Sequence, residues 1–321
     1  MKKAVFVLLI IGTCLVLLGG GIFAVAMAKN GWDFSQLANV TYEEKTFETD
    51  ASAVSKINVK ANTEDISFAF SEDDKIHILY YNTFDRKGNL LKSFEPSVTN
   101  GTLDLVAIRN RKWFSEMSFG MGKNFMISVP AGKELALSVD ISTGDVAIGK
   151  ESEVRSFTEL NLKTDTGSIK LNGEIGVQQN ATFKVHTGDI RISGKFTVAN
   201  ELKCTASTGK LALSAAITAE KVELRTSTGD VKISGTMTAP SITCKTDTGD
   251  VVATAAISSP LITVKSDTGD VKLLLAGKKD DYSCTLSTDT GSASPRSYVG
   301  GAKRVDVDVD TGNIRLTFTE Q

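Results

Sequence analysis

Asp247-Thr248-Gly249-Asp250 and Asp267-Thr268-Gly269-Asp270 are two copies of a tetrapeptide that recurs along the chain. Its Thr-Gly pair occurs nine times in register, and successive glycines are separated by 23, 21, 21, 20, 20, 20, 22 and 21 residues. A period of roughly 20 residues held over so many copies indicates stacked units of supersecondary structure. The pairs are Thr143-Gly144, Thr166-Gly167, Thr187-Gly188, Thr208-Gly209, Thr228-Gly229, Thr248-Gly249, Thr268-Gly269, Thr290-Gly291 and Thr311-Gly312.

Apolar residues alternate with polar ones on both sides of each Thr-Gly pair. Leu, Val, Ile, Phe or Cys mostly stands seven and five residues before the glycine, and Val, Ile or Leu mostly stands two residues after it. This alternation predicts two short strands joined at the Thr-Gly turn. A third apolar pair follows eight and ten residues after the glycine, as at Phe196 and Val198. The threonines one and three residues before the glycine share the parity of the apolar positions, so we expect them to point inward or into the turn.

One coil of about 20 residues cannot bury its own apolar row, but coils stacked at the strand spacing of about 4.8 Å share a continuous core. We therefore predict an all-β protein, a single-stranded parallel β-solenoid (β-helix-like) with coils of about 20–23 residues. Glycine at the turn allows a positive φ or a close approach of backbones. The short Asp or Ser side chain beside it can hydrogen-bond the turn amides.

The motifs also carry a family resemblance. From the N-terminal apolar segment through Gly31-Trp32-Asp33-Phe34-Ser35 to the serial Ser/Thr-Thr-Gly-Asp-Val/Ile coils, the chain resembles the bacterial "putative adhesin" or toast-rack family, a domain-of-unknown-function family. The resemblance covers nearly the whole chain. It implies a cell-envelope protein of largely undefined biochemical activity, in a family sometimes linked to envelope-stress systems. It therefore bears on fold and location more than on mechanism.

The N-terminus predicts a membrane anchor. Met1-Lys2-Lys3 precedes an uncharged run over residues 4–28, which is long enough to span a bilayer. The lysines before the run and the acidic residues after it predict a cytoplasmic tail over residues 1–3 and an extracytoplasmic C-terminal domain, with one pass through the cell membrane. Because Ala26-Met27-Ala28 also fits a cleavage site, a cleaved signal peptide is the alternative.

The rest of the chain divides into three predicted segments. Residues 29–50 are expected to form a juxtamembrane linker, residues 51–130 irregular coils that cap the solenoid, and residues 131–321 the regular repeat. In the irregular part, Asn62-Thr63-Glu64-Asp65 occupies the place of a Thr-Gly-Asp turn. The last coil carries Asp306, Asp308 and Asp310 at outward positions, and we expect this charged row to protect a terminal strand edge from end-to-end association.

Signals for catalysis are sparse. His77 and His186 are the only histidines and stand in no catalytic motif, and nucleophile-elbow, phosphate-loop and dinucleotide fingerprints are missing from the sequence. Cys204, Cys244 and Cys284 fall at inward positions, where they replace aliphatic residues, and the first two are too far apart to form a disulfide. We predict no enzymatic activity, no catalytic residue and no cofactor. The alternative is a carbohydrate-active enzyme that acts on envelope polysaccharide from the same scaffold.

The acidic turns also predict no metal site. Calcium takes six to eight oxygen ligands, whereas each turn supplies at most two carboxylates. We expect the acidic row to be interrupted in neighbouring coils, which leaves only the two coils from Asp247 to Asp270 as a candidate. The interrupting residues are His186, Ser207, Lys210 and Ser227.

Two outward rows of cations flank the acidic turns and are the candidate binding surface. They either neutralise neighbouring carboxylates in a solvated ladder or form an elongated surface for an anionic envelope polymer or an envelope protein. The net charge of -2 and sequence pI of about 5.9 argue against nucleic acid as a partner. The rows are Lys163, Lys184, Arg225, Lys245 and Lys265, four before the glycine, and Lys170, Arg191, Lys232 and Lys272, three after it.

Overall fold

The computed structural model describes residues 28, 40–85, 87–109 and 123–320. Within them no helix is both long and apolar enough to cross a bilayer. The predicted anchor over residues 4–28 lies outside the described residues except for Ala28, so it stays a prediction.

The described residues form strands and two short 3-10 helices, Ala51–Ala53 and Lys279–Asp281. Val40–Asp50, which we expected to belong to a linker, is a strand. The strands are β1 (Val40–Asp50), β2 (Lys56–Ala61), β3 (Ile66–Ser71), β4 (Lys75–Asp85), β5 (Leu90–Phe94), β6 (Ser97–Thr99), β7 (Thr102–Arg109), β8 (Phe125–Pro130), β9 (Leu135–Thr143), β10 (Val146–Ile148), β11 (Val154–Thr166), β12 (Ile169–Leu171), β13 (Glu174–Val177), β14 (Ala181–Thr187), β15 (Ile190–Ile192), β16 (Lys195–Val198), β17 (Glu201–Thr208), β18 (Leu211–Leu213), β19 (Ala216–Thr218), β20 (Lys221–Thr228), β21 (Val231–Ile233), β22 (Met237–Thr238), β23 (Ser241–Thr248), β24 (Val251–Ala253), β25 (Ile257–Ser258), β26 (Leu261–Thr268), β27 (Val271–Leu275), β28 (Tyr282–Thr290), β29 (Ala293–Ser294), β30 (Lys303–Thr311) and β31 (Ile314–Phe318).

The chain divides into two compact units. The smaller comprises Met1–Glu43, Asn82–Ser93 and Arg109–Met121. Within it the amide of Asp85 donates to the carbonyl of Asn89 at 2.9 Å, which closes a hairpin turn. The larger unit comprises Glu44–Tyr81, Phe94–Ile108 and Gly122–Gln321, and it contains the hydrophobic core and every site described below.

The larger unit is a parallel β-solenoid, as predicted. Each regular coil supplies one long strand, the Thr-Gly turn, a short second strand and a short third strand, and equivalent strands of successive coils pair in register. Apolar residues at the inward positions of all three faces are buried, including the third-face pair Phe196 and Val198. Polar residues at the alternate positions face solvent or are half-buried. The period-2 pattern therefore gave the strands their correct faces.

The inward rows form one continuous core. Cys204 and Cys244 lie in it as free, fully enclosed thiols, and Leu224 stands between them in the register. This placement confirms that the two cysteines are buried and unpaired. Burial raises the pKa of Cys244 to about 12, so its thiolate form is suppressed.

At the N-terminal end of the stack, the first coil in sequence is not the outermost. Strand β2 lies between β7 and β9, and β3 lies between β8 and β10. Strands β4 and β6 then pair antiparallel with the outermost strands β8 and β7. The predicted turn at Asn62–Asp65 is confirmed, because the amide of Asp145 donates to Asp65 Oδ1 at 2.8 Å.

At the C-terminal end, the last coil in sequence is likewise inserted one place inside the stack. Strand β30 lies between β26 and β28, and β31 lies between β27 and β29. The prediction that Asp306, Asp308 and Asp310 protect a terminal edge is therefore wrong, because their strand is paired on both sides. The outermost strand is β28, and Tyr298 covers part of its edge by exchanging two backbone hydrogen bonds with Cys284 at 2.9 and 3.0 Å.

Candidate functional site

The nine Thr-Gly pairs stack along one edge of the solenoid, which we call the turn edge. Its glycines have φ values from +136° to +151°. A Cβ atom on Gly229 would lie 2.1 Å from the carbonyl oxygen of Gly209 in the coil below. The amide of Gly229 donates to the carbonyl of Thr248 in the coil above at 2.8 Å. Glycine is thus required both by its backbone conformation and by contact between coils.

The residue after each glycine links neighbouring coils through its side chain. Asp145 Oδ1 accepts the amide of Ser168 at 2.8 Å, Asp250 Oδ1 accepts that of Asp270 at 2.8 Å, and Asp270 Oδ1 accepts that of Asn313 at 2.9 Å. We expected these side chains to bond turn amides, and they do so between coils. Their carboxylates therefore hold the stack together.

At four of these positions, Asp145, Asp189, Asp230 and Asp270, the second carboxylate oxygen also binds a cation. Lys170 lies 2.5 Å from Asp145, Arg191 lies 2.8 Å from Asp189, Lys210 lies 3.0 Å from Asp230 and Lys272 lies 2.9 Å from Asp270.

These pairs also shift the acid-base behaviour of the carboxylates. The hydrogen bond from Lys272 lowers the pKa of Asp270, and that from Lys210 lowers the pKa of Asp230. Burial acts to raise the pKa of Asp145, but the hydrogen bonds of Lys170 and Ser168 and nearby positive charge outweigh it, and the pKa is lowered.

The two threonine rows differ. Thr164, Thr226 and Thr246, three before the glycine, are buried, and each hydroxyl donates to a glycine carbonyl of the coil below at 3.0 to 3.3 Å. The nine threonines directly before the glycine are all exposed. These threonines therefore do not point inward, because the alternation of buried and exposed residues along the strand ends at the turn.

Most of the predicted basic rows are neutralised. In the row four before the glycine, Lys163 pairs with Asp140 at 2.9 Å, Lys245 lies 4.0 Å from Asp247 and Lys265 lies 3.9 Å from Asp308.

In the row three after the glycine, Lys170, Arg191 and Lys272 form the pairs described above. Across residues 40–85, 87–109 and 123–320, Lys184, Arg225 and Lys232 form no ion pair. Within the described residues, these three cations of the two rows are therefore free of ion pairs.

The row two residues before each glycine, which we call the edge row, changes character along the stack. Four consecutive coils carry aspartate in this row, and because β30 is inserted beside β26, Asp310 stands between Asp267 and Asp289. The acidic row is longer than the two coils from Asp247 to Asp270 that we expected, since Asp289 and Asp310 occupy the same position in their repeats. Among the described side chains, no group of three His, Cys, Asp or Glu residues could hold a metal ion. In stack order the edge row is Ser142, Asp165, His186, Ser207, Ser227, Asp247, Asp267, Asp310 and Asp289.

One buried cation on the third face, Arg155, was not predicted from the sequence. Arg155 stands in register with Ile175 at an inward position, and its guanidinium donates to Glu153 Oε2 at 3.1 and 2.8 Å and to the carbonyl of Ala69 at 3.3 Å. It also stacks over the ring of Phe70 at 3.9 Å. Arg155 therefore closes the end of the third-face row. The sequence signal that could have revealed it is an arginine at a strand position where the alternation predicts an inward, apolar residue.

His77 lies in β4 beside two carboxylates. Its Nε2 is 2.7 Å from Asp73 Oδ1 and its Nδ1 is 3.3 Å from Glu48 Oε1. With both ring nitrogens turned to carboxylates, neither is directed at a hydroxyl such as that of its cross-strand neighbour Ser128. This arrangement does not activate a nucleophile.

The family follows from a match over most of the chain. The model of the Toastrack DUF4097 family matches residues 54–317. The chain belongs to the Toastrack DUF4097 family. This match confirms the resemblance seen in the sequence. No curated protein matches the chain.

Several crystal structures are similar to this Toastrack protein. A "putative adhesin" from Bacteroides fragilis is 15% identical with a TM-score of 0.33, and 85% of this chain and 97% of that chain are covered. A "putative lipid binding protein" from Parabacteroides distasonis is 14% identical with a TM-score of 0.42, covering 85% and 96%. A "putative adhesin" from Parabacteroides merdae is 12% identical with a TM-score of 0.36, covering 88% and 95%.

Proposed function

We propose that this Toastrack protein is a non-enzymatic binding or structural module of the bacterial cell envelope. The N-terminal segment holds it in the membrane and its solenoid is displayed outside. The link to envelope stress that the family resemblance implies remains a prediction.

The use of the acidic side chains at the turn edge carries this proposal. In a polysaccharide-cleaving enzyme, two carboxylates converge on one bond of the substrate. Here four of the five carboxylates after the glycines are engaged by an amide of the next coil and by a cation, as at Asp270 with Asn313 and Lys272. Carboxylates that are used in contacts between coils are more consistent with a repetitive binding or structural surface than with a catalytic centre.

Binding and turnover can be measured on one preparation. The full chain in detergent micelles is mixed with isolated bacterial envelopes and sedimented, and the supernatant is assayed for released sugar reducing ends and unsaturated sugars. Saturable co-sedimentation without released sugar is expected. Sugar release that Asp247→Asn or Asp267→Asn abolishes would instead establish the carbohydrate-active alternative.

The location has its own test. If residues 4–28 are retained as an anchor, the protein in cells stays with membranes through high-salt and carbonate washes and leaves only in detergent. A mature protein that begins near Lys29 and is recovered without detergent would show that the segment is a cleaved signal peptide.

A further inference from the structure

In the edge row, three central coils lack the carboxylate that flanking coils carry. In the edge row, the coils of β14, β17 and β20 supply His186, Ser207 and Ser227, whereas Asp165 and Asp247 stand directly before and after them. The edge row therefore has an uncharged or basic centre with acidic residues on both sides.

The same coils hold the free cations of the neighbouring row. Lys184, Thr205 and Arg225 are consecutive in the register, and both cations are exposed. Lysines of flanking coils have carboxylates nearby, as Lys163 does at Asp140 and Asp165. The carboxylate beside Arg225 on its own strand, Glu223, is taken by Lys203 at 2.8 Å and Lys221 at 3.9 Å.

We propose that these coils form a binding strip for a polymer that carries phosphate groups, such as a chain of phosphodiesters. This inference rests on the proposed envelope-binding function and names its surface and ligand class. The central strip consists of Lys184, His186, Thr205, Ser207, Arg225 and Ser227.

The donors of the central strip match the chemistry of a phosphate. The guanidinium of Arg225 presents parallel N–H groups that fit two oxygens of one phosphate, and the Lys184 ammonium supplies a point charge. The hydroxyls of Thr205, Ser207 and Ser227 lie between or beside the cations and can donate to the remaining oxygens.

The layout of the central strip matches a linear chain. Lys184 and Arg225 are two coils apart, which is roughly 10 Å at the strand spacing, and they lie in one line along the stack. A chain with repeated phosphates can contact both. Asp165 and Asp247 bound the strip and repel phosphate from adjacent coils, so a charged surface as broad as a membrane fits it poorly.

Long-chain inorganic polyphosphate is the probe, and its dissociation constant for the full chain in uncharged micelles is the measurement. Wild type binds, and added salt weakens binding by screening. Lys184→Gln with Arg225→Gln is expected to weaken binding about tenfold. The matched control, Lys163→Gln with Lys265→Gln, removes the same charge from the same row and stays within about twofold. Equal losses in both variants, or no loss in the first, would overturn the strip.

A second variant tests the missing carboxylates directly. Ser207→Asp with Ser227→Asp extends the acidic pattern of Asp247 and Asp267 into the strip, at positions where neighbouring coils accommodate aspartate. We expect a folded protein that no longer binds polyphosphate. Retained binding by this folded variant would contradict the strip.

Two further probes test the ligand class. Polygalacturonate presents carboxylates along a chain, and anionic phospholipid vesicles present phosphates on a plane. Weaker binding to both is expected, and equal or tighter binding to either would overturn a phosphate polymer as ligand.

Envelope sedimentation distinguishes failure of the central strip from failure of the proposed envelope-binding function. If envelopes sediment wild type and Lys184→Gln/Arg225→Gln equally, the strip is wrong and envelope binding stands; if they sediment neither, the proposed function fails.

Discussion

Glycine at the turn edge is fixed by a contact between coils as well as by its own backbone. At Gly229, φ is +142° and a Cβ atom would overlap the carbonyl oxygen of Gly209. Gly229→Ala is expected to lower the free energy of unfolding by at least about 3 kcal/mol, since a backbone atom of the neighbouring coil must move. Urea unfolding followed by circular dichroism measures this change.

Gly176→Ala is the matched control for that substitution. Gly176 lies in a strand of the third face without a positive φ, and its Cβ would meet nothing closer than Ser156 Oγ at 3.8 Å. We expect a change within about 0.5 kcal/mol. If both variants lose similar stability, contact between coils is not the reason for glycine at the turn.

The carboxylates after the glycines predict sensitivity to acid. Because the folded-state pKa of Asp270 is lowered, its contribution to stability is complete above its unfolded pKa of about 3.9 and is lost as pH falls through the lower folded value. Asp270→Asn keeps an acceptor oxygen, as Asn313 does for Ser292 at 3.1 Å. We therefore expect Asp270→Asn to lose less stability than wild type between neutral pH and about pH 3.

Asp270→Ala separates the hydrogen bond from the charge. It leaves the Asn313 amide without its acceptor and is expected to cost about 1 kcal/mol near neutral pH, more than Asp270→Asn. Thermal unfolding of the three proteins across the pH range measures both effects. A pH profile of Asp270→Asn that is parallel to wild type would show that this carboxylate does not contribute to the acid transition.

The alternation of apolar and polar residues correctly predicted which side chains point inward along most of each strand, but it failed for the residue next to the turn. Leu202, Cys204 and Ala206 are buried in alternation along β17, as the pattern requires. Thr208 continues the parity but is exposed, because the backbone is already entering the glycine conformation. Partners across coils, such as Asp270 with Asn313, could not be predicted, since they depend on which coil lies above which.

At the scale of elements, the sequence repeat predicts the strands and turn of each coil, but it does not predict which coils are neighbours in the stack. The coils of β28 and β30 both present inward apolar residues and a Thr-Gly turn, so each could equally well pair with β26. The structure places β30 there and moves β28 outward. The first coil is enclosed in the same way at the other end. At both ends of the stack, the coil that comes first or last in the solenoid sequence pairs with a coil on each side. The outermost place is taken by the coil next to it in sequence.

Engineered disulfides test this order. Thr311 is the register partner of both Thr268 and Thr290, so a cysteine at 311 is expected to form a disulfide with a cysteine at either position. Thr268→Cys with Thr290→Cys is the control, because two strand spacings, roughly 10 Å, exceed the reach of a disulfide. Mass spectrometry of the oxidised, folded proteins identifies the links. Rapid oxidation of the control pair, together with failure of the 268/311 pair to form a disulfide, would indicate that the coils stack in sequence order.

At the scale of the whole solenoid, charge is segregated along the edge row and the cation row beside it. The central strip carries free cations, whereas Asp247, Asp267, Asp310 and Asp289 follow it without interruption. Only Asp247 among these four has a cation within 4.0 Å in the described part of the chain, namely Lys245. The four aspartates therefore repel one another, and the solenoid tolerates this because exposed charges interact weakly in water.

This acidic row predicts a small and unspecific response to divalent ions. Calcium needs six to eight oxygens at 2.3–2.6 Å, whereas these carboxylates stand one strand spacing apart on an exposed edge. We expect the unfolding temperature of the full chain in micelles to be unchanged by chelator. Calcium at a few millimolar should raise it no more than magnesium does, because both only screen the repulsion.

Asp310→Asn tests whether the response to ions comes from repulsion among the aspartates of the acidic row. Removing the charge between Asp267 and Asp289 relieves repulsion from both neighbours, so the variant should be as stable as wild type or slightly more stable at low salt. Added sodium chloride should then narrow the difference between the two proteins. A shift of several degrees that calcium produces and magnesium does not, and that Asp310→Asn removes, would instead establish a calcium site in this row.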